Sequence, residues 1–248
     1  MKILVCISNV PDTTSKINFI NSDTEFDTNG VQFVINPNDE FGLTRAVWLK
    51  EQQGASITVV SVGLADAEAT LRKALAIGAD EAIRINTTAT DGMLVAQQLA
   101  HVAQQGNYDL IIAGKESLDY NGGMVPGMLA ALLDYNFVNS CISLTVEGNN
   151  ATVQREMDGG KETLSASLPL VIGGQKGLVE EKDLRIPNMR GIMQARTKVI
   201  SVLEPSNINV ATKAIKFEKP AAKSAVKLVS ADNLDELVNL LHNEAKVI

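Results

Sequence analysis

A glycine pair ahead of an apolar helical stretch is the sequence feature with the clearest chemical potential. An apolar run at residues 110–113 leads into a polar segment ending in Asn121-Gly122-Gly123, and helical apolar spacing begins at Met124. Glycines at this position let backbone N–H groups approach a phosphate, and the helix start adds the positive end of its dipole. The same residues are also typical of a plain turn, and their spacing alone does not separate the two interpretations.

Asn36 is a second candidate for contact with a ligand. It precedes Pro37, which restrains it to an extended backbone ahead of a predicted helix. Its amide can hydrogen-bond a ribose or a purine, or it can belong to the N-cap of that helix. The residues by themselves favour the N-cap interpretation.

Several catalytic signatures are absent from the sequence. No G-x-G-x-x-G follows the first apolar run, and there is no G-x-x-x-x-G-K-[ST] or G-x-S-x-G motif. His101 and His242 fall in predicted helices without a ligand partner three or four positions later, so we expect them to be solvated. We therefore expect no catalytic residues and no metal site. A nucleotide-shaped site without catalytic side chains indicates a binding or carrier protein.

The elements that must position these residues alternate through the first half of the chain. Predicted strands lie at residues 2–7, 56–62, 81–85 and 108–113, and predicted helices at residues 39–53, 66–77, 91–105 and 124–133. This alternation predicts an α/β fold with a mostly parallel, doubly wound sheet. Ligands of such sheets bind at the carboxyl ends of the strands, where Cys6, Val62 and the glycine pair are found.

The second half of the chain has a different pattern. It predicts antiparallel hairpins that extend the parallel sheet, followed by a polar loop at residues 177–191. Residues 205–248 form a predicted arm with a short helix at 233–246, and they carry little apolar material to bury alone. We expect this arm to pack on a partner chain, or else on its own domain of residues 1–204. The predicted strands of this half lie at residues 138–146, 151–157, 161–167 and 169–173.

Composition excludes several classes of protein. The 248 residues are 45% hydrophobic, enough for a globular core, and a net charge of −7 argues against a nucleic-acid partner. Cys6 and Cys141 lie in separate apolar runs, which argues against a disulfide scaffold or a zinc site. No apolar stretch approaches a membrane span, and no targeting leader precedes the first strand, so we expect a soluble cytoplasmic protein.

Three stretches resemble a known family. The hairpin sequence V-Q-R-E-M-D-G-G-K-E-T at residues 153–163, the pair Leu168-Pro169 and I-M-Q-A-R at residues 192–196 are similar to the signature of electron transfer flavoprotein β subunits. The order of Ile35-Asn36-Pro37, Gly114-Lys115 and Asp119 agrees with it. The similarity runs from the first strand to about residue 204, and a long arm is also typical of the family.

The resemblance implies an adenine-nucleotide-hydrolase-like α/β fold and a heterodimer with an α subunit. One redox-active FAD lies mostly in the mobile second domain of that α subunit. The β subunit holds AMP, or a second FAD in electron-bifurcating members. Thr13 matches a position that approaches the flavin bound to the α subunit. By matched position, the nucleotide of the β subunit should contact Cys6, Asn36, Val62, Asn121, Gly122, Gly123, Met124 and Val125.

The family also implies partners for electron transfer. Its members accept electrons from acyl-CoA and related dehydrogenases and pass them to a quinone-linked flavoprotein oxidoreductase. The segment matching residues 185–196 is a loop that recognises the dehydrogenase, and Met189 falls at its apolar anchor. A methionine suits several pockets because its side chain is flexible and polarizable. Arg185, Arg190 and Arg196 would form a polar rim, and Glu156 matches an acid that pairs with an arginine of the α subunit.

This sequence also departs from the family pattern. Ser8 and Asn9 replace the usual basic residues after the first strand, and Met124-Val125 replaces a common Gln-Thr or Gln-Val pair. The choice between AMP and FAD therefore stays open. Two alternatives share the fold. One is a stand-alone AMP- or ATP-binding stress or signalling module, and the other is an adenylating enzyme, whose S-G-G-x-D-S loop is here S-N-V-P-D at residues 8–12.

Overall fold

A computed structural model describes residues 1–208, 210–222 and 225–248 of the chain. Thirteen strands lie within these residues. In chain order they are β1 (Lys2–Cys6), β2 (Asn9–Pro11), β3 (Phe19–Ile20), β4 (Glu25–Phe26), β5 (Phe33–Ile35), β6 (Ser56–Val62), β7 (Glu81–Ile85), β8 (Leu110–Gly114), β9 (Asn136–Glu147), β10 (Asn150–Met157), β11 (Gly160–Ser167), β12 (Leu170–Gly174) and β13 (Ile200–Leu203).

Six α-helices accompany the strands in the same described residues. They are α1 (Pro37–Gln53), α2 (Glu68–Ile77), α3 (Gly92–Gly106), α4 (Val125–Leu133), α5 (Met189–Thr197) and α6 (Leu234–Asn239). Short 3₁₀ turns occur at Ala65–Ala67 and Glu181–Asp183, and a π-helical turn at Leu240–Ala245 follows α6. None of the helices in the described ranges is both long and apolar enough to span a bilayer.

Nine strands form one sheet in the order β11-β10-β9-β12-β8-β1-β6-β7-β13. Every neighbouring pair from β9 to β13 is parallel, and β10 and β11 add an antiparallel extension. The chain starts at β1, continues to β6 and β7 on one side, and then crosses to β8 on the other side. The strand order therefore reverses at β1, and ligands of open α/β sheets bind beside such a reversal.

Helices cover both faces of the sheet, and alternate residues of β1 contact the two layers. Ile3 and Val5 belong to the core that includes residues of α1 and α2. Leu4 and Cys6 belong to the core that includes residues of α3 and α4. Strands buried on both faces read as continuous apolar runs, which is why β1 and β8 were recognisable in the sequence. The predicted doubly wound α/β fold is confirmed.

The antiparallel extension is also confirmed. Strands β9, β10 and β11 pair in succession, and their two connections carry glycines with positive φ, Gly148 at 58° and Gly159 at 85°. L-residues with a Cβ rarely adopt this conformation, whereas tight hairpin turns require it. Gly148 and Gly159 therefore determine where the two turns lie.

Several elements differ from the sequence-based expectation. Helix α5 begins at Met189, inside the expected loop of residues 177–191, because Asn188 caps it by accepting a hydrogen bond from the Gly191 N–H. The expected helix at 233–246 is divided between α6 and the π-helical turn. Strand β13 was not predicted, and it pairs with β7 at the sheet edge. The short strands β2 to β5 were not predicted either.

The arm has two parts with different surroundings. The proximal arm, residues 205–208 and 210–222, makes hydrogen bonds to α3 and to the segment that contains β3. The distal arm, residues 225–248, leaves exposed apolar side chains that include Val226, Leu228 and Leu234. The proximal arm therefore contacts its own domain, which is one of the two placements that the sequence left open for residues 205–248. Packing of the arm on an α subunit stays a prediction.

Candidate functional site

A cleft of about 1330 Å³ opens at the carboxyl edge of the sheet. Its floor contains residues from the ends of β1, β6 and β8, which are the strands around the reversal of strand order. The N-termini of α3 and α4 form its sides, and the β3–β4 hairpin and the proximal arm form its outer wall. This position matches the ligand site of open α/β sheets.

Asp39, in the first turn of α1, joins two strand ends beneath the cleft. It is 2% exposed, and its carboxylate accepts hydrogen bonds from the Ser8 N–H (2.7 Å) and the Gly114 N–H (2.8 Å). Burial raises the pKa of this carboxyl to about 7, although both N–H donors favour the ionised form. The sequence suggested only a helix-start aspartate, so sequence analysis missed this residue.

Gly114 is the partner that allows this close approach. A Cβ built at Gly114 would collide with the Asp39 carboxylate and would lie 2.9 Å from the Asn36 amide nitrogen. Only a glycine therefore lets the end of β8 reach the start of α1. The polar side chains of α1 and the end of β8 form one compact support for the loop that follows.

Asn36 belongs to this support and does not line the cleft. Its side chain is fully buried; the amide donates to the Glu116 carbonyl (2.9 Å) and accepts from the Leu118 N–H (3.3 Å). Asn36 does occupy the N-cap position of α1, but its side chain caps no helical N–H. The structure thus gives Asn36 a positioning role that neither interpretation of the sequence anticipated.

The glycine pair lies in the loop that Asn36 holds. Ser117 and Gly122 form an isolated antiparallel bridge, and Asn121 between them has a positive φ of 49°. Neither Gly122 nor Gly123 has a positive φ, and a Cβ on either would meet protein atoms only at ordinary distances of 3.4 Å or more. The fold itself therefore does not require these two glycines. A ligand that approaches the backbone would require them.

The starts of α3 and α4 meet beside this loop. Met124, at the N-cap position of α4, makes no side-chain cap, whereas Asp91 caps α3 by accepting from the Met93 and Leu94 N–H groups. A Cβ at Gly92 would come within 2.8 Å of the Met124 side chain. The α4 terminus thus borders the cleft without a side-chain acceptor for its free N–H groups, an arrangement suited to an anion.

The cleft brings together five of the expected nucleotide contacts. Cys6, Val62, Gly122, Met124 and Val125 line it, and burial raises the pKa of the Cys6 thiol, so this side chain is a neutral apolar contact. The other expected contacts lie outside the lining. They are Asn36 under the loop, Asn121 and Gly123 within it, and Thr13 on an exposed segment after β2.

These residues fit an adenine nucleotide. The apolar floor suits a purine ring, and the glycine loop with the start of α4 suits a phosphate. Within the described part of the chain, no three His, Cys, Asp or Glu side chains are clustered closely enough to hold a metal ion. His101 and His242 are both exposed, as the sequence predicted.

A second feature lies on the face of the sheet covered by α1 and α2, where α5 packs against α2. Met189 at the start of α5 is 76% exposed, and Ile186 and Met193 nearby are also exposed. We call these three residues the α5 patch. Of the expected polar rim, Arg190 and Arg196 are exposed, and Arg185 pairs with Glu51 of α1 (2.6 Å).

Glu156 lies near the end of β10, where its carboxylate is exposed. It accepts a hydrogen bond from the amide of Gln175 (2.5 Å), a residue that is buried just after β12. Arg155 beside it pairs with Glu162 across the hairpin (2.6 Å). Glu156 is thus oriented by its own chain and has no basic partner among the ion pairs of the described residues.

Comparisons with known proteins agree with this architecture. A family model for the electron transfer flavoprotein domain matches residues 23–208. The chain is 34% identical to the electron transfer flavoprotein subunit beta of Bacillus subtilis (strain 168), with both chains covered completely. It is 35% identical to that of Syntrophomonas wolfei, covering 91% of this chain and 88% of the relative, and 32% identical to the human protein, covering 94% and 95%. The chain therefore belongs to the β-subunit family of electron transfer flavoproteins.

Proposed function

We propose that this chain pairs with an α subunit and serves the transfer of electrons from acyl-CoA and related dehydrogenases to a quinone-linked flavoprotein oxidoreductase. As a member of its family it is an electron-transfer subunit and not an enzyme by itself. One observation carries the proposal. A match over the whole chain to β subunits coincides with a nucleotide-shaped cleft at the strand-order reversal.

The cleft would hold an adenine nucleotide, either AMP or a second FAD. Cys6, Val62 and Val125 would contact its apolar part, and the backbone around Gly122 and Met124 would receive its phosphate. Asp39 and Asn36 would act beneath the ligand, because they hold the strand ends and the loop in place. FAD, when bound, supplies the capacity to accept and donate electrons, whereas AMP would serve as a structural ligand.

The redox-active FAD would be shared with the α subunit. Thr13 would lie near that flavin, since its exposed segment leaves it free to contact a second chain. Glu156 would pair with an arginine of the α subunit. A carboxylate already oriented by Gln175 loses little conformational freedom when such a partner arrives.

The α5 patch would bind the dehydrogenase. Met189 would be the anchor, because apolar side chains this exposed gain the most from burial at an interface. Arg190 and Arg196 would form the polar rim. Arg185 would contribute less, since its guanidinium is already paired with Glu51.

The distal arm would bind the α subunit. Several of its leucines and valines are largely exposed to solvent, and α6 offers Leu234, Leu237 and Val238 on one short helix. Burying three such side chains contributes roughly 1.5–3 kcal/mol each before the cost of ordering.

Nucleotide content tests this proposal. The chain is co-expressed with its α subunit, the purified complex is denatured, and the released FAD and AMP are quantified per heterodimer. One FAD with one AMP supports a conventional carrier, and two FAD without AMP support a flavin in the cleft. A chain that forms no complex and carries no nucleotide would contradict the proposed function.

A further inference from the structure

Two segments distant in sequence close the outer side of the cleft. Phe217 of the proximal arm stacks on Phe19 of β3 with ring centroids 5.1 Å apart, and its N–H donates to the Asp23 carbonyl (2.7 Å). Lys219 donates to the Asn18 side chain (2.9 Å). The β3–β4 hairpin and the arm therefore hold each other, although about 200 residues separate them in the chain.

Earlier residues of the proximal arm make hydrogen bonds to α3 and to its N-cap residue. Ser206 and the buried side chain of Gln98 exchange two hydrogen bonds of 2.9 and 3.0 Å. Further along, the N–H of Thr212 donates to Asp91 (2.8 Å), and its hydroxyl bonds to the same carboxylate oxygen. The hydroxyl of Thr212 is the largest cause that holds the pKa of Asp91 below its ordinary value. Asp91 thus caps α3 with one oxygen and fixes the arm with the other.

Charge distinguishes Lys213 from the rest of the cleft. Among the described residues that line the cleft, Lys213 is the only basic one. The end of β1 contributes the uncharged Ser8 and Asn9. Each acidic residue of the lining already has a partner within the chain: four accept hydrogen bonds from N–H or O–H donors, and one pairs with a lysine outside the lining. They are Asp39, Asp91, Glu25 and Asp119, and Glu116 with Lys115. Among the described lining residues, a phosphate in this cleft would therefore find one side-chain cation, and the arm supplies it.

We propose that residues 210–217 of the arm complete the nucleotide site, with the Lys213 ammonium pairing with the nucleotide phosphate and the Thr212–Asp91 contact holding the backbone from which Lys213 extends. This inference rests on the nucleotide site of the proposed function. It adds to that site a wall and a phosphate-binding side chain that lie outside the parallel sheet. Lys216, three residues further along, does not line the cleft and serves as a matched control.

Calorimetric titration of the nucleotide-stripped α–β complex tests the assignment. AMP is compared with adenosine, which has no phosphate, and FAD is compared with riboflavin if the complex is isolated with FAD in the cleft. We expect Lys213→Ala to weaken AMP binding about tenfold while adenosine binding is unchanged, because a charge-assisted contact is lost. Lys213→Arg should restore most of the affinity, and Lys216→Ala should change neither ligand.

The contradicting outcomes are distinguishable. If the unmodified complex binds neither AMP nor FAD, the proposed nucleotide site fails, and the role of the arm fails with it. If the unmodified complex binds AMP and Lys213→Ala binds it equally well, only the role of the arm is overturned. Equal weakening of AMP and adenosine would also overturn it, because that pattern signals a disturbed fold rather than a lost phosphate contact.

Discussion

The cleft differs from the distal arm and the α5 patch, the two outlying surfaces, in whether its side chains find partners within the chain. Around the cleft, polar groups find partners within the chain, as Asp39 does with two strand ends and Asp91 with the arm. In the distal arm and the α5 patch, large apolar groups such as Leu228 and Met189 face solvent. Buried polar groups without partners are costly, and exposed apolar groups gain by association. The cleft is thus preformed, whereas the distal arm and the α5 patch would gain stability if another chain covered them.

Two separate glycine-to-alanine substitutions test whether the cleft is preformed, and the first has the largest expected effect. Gly114→Ala places a Cβ against Asp39 and Asn36, so we expect the free energy of unfolding to fall by roughly 3–5 kcal/mol in urea titrations. Gly122→Ala places its Cβ 3.9 Å from the nearest protein atom and should leave stability unchanged while weakening AMP binding. Equal stability of the two variants would contradict the support described for the loop.

The titration of Asp39 provides a second test of the preformed cleft, because it makes stability depend on pH. Its pKa rises from an unfolded value near 4 to about 7 on folding, so the folded chain holds more protons between these values. The contribution of Asp39 to the free energy of unfolding is therefore fully present below about pH 4. It is lost as the pH rises through 7, and the total loss is up to roughly 4 kcal/mol.

We expect Asp39→Asn to remove that dependence. Its stability penalty, measured by urea unfolding, should be largest near pH 4 and smallest near pH 8. Asp235→Asn makes the same chemical change in the first turn of the exposed helix α6 and serves as the control. A penalty of Asp39→Asn that does not change with pH would contradict the conclusion that burial raises the pKa of Asp39.

A chain that ends after residue 222 tests the proposed role of the distal arm. We expect the affinity for the α subunit to fall about thirtyfold or more in sedimentation experiments, which corresponds to about 2 kcal/mol. The melting temperature of the chain by itself should hardly change, because the distal arm covers little of its own domain. Full co-purification of the shortened chain with its partner would contradict this role.

Met189→Ala should have the smallest effect. We expect about a tenfold slower transfer from an acyl-CoA dehydrogenase at low dehydrogenase concentration, with full flavin content, because one anchor side chain is shortened. Val202→Ala on the edge strand β13 removes a half-exposed apolar group elsewhere and serves as the control. Unchanged transfer by Met189→Ala would exclude it as the anchor.

The sequence predicted those parts of the fold that depend on local pattern. Strands β6 and β7 were located to the residue, since apolar runs bounded by polar segments identify strands buried in a parallel sheet. Strand β13 was not predicted because its four residues gain their order from pairing with β7. The same holds for β2, which pairs with the distant β5.

The candidate site was predictable only in outline. The strand ends and the glycine loop identified its edge, whereas the burial of Asp39 depends on contacts with residues 31 and 75 positions away. The proximal arm could not be placed from sequence, because Thr212 reaches Asp91 across 121 residues. Side chains whose partners lie this far apart carry no periodic signal.

Hydrogen exchange is the most direct measurement of the central claim, that the cleft serves a nucleotide and the outlying surfaces serve partner chains. Backbone exchange is followed in the chain alone, with AMP, and with the α subunit. We predict that AMP slows exchange in residues 114–125 and 210–217, and that the α subunit slows it in residues 225–248. The claim would be contradicted if AMP slowed exchange in neither residues 114–125 nor residues 210–217. It would also be contradicted if the α subunit left exchange in residues 225–248 unchanged.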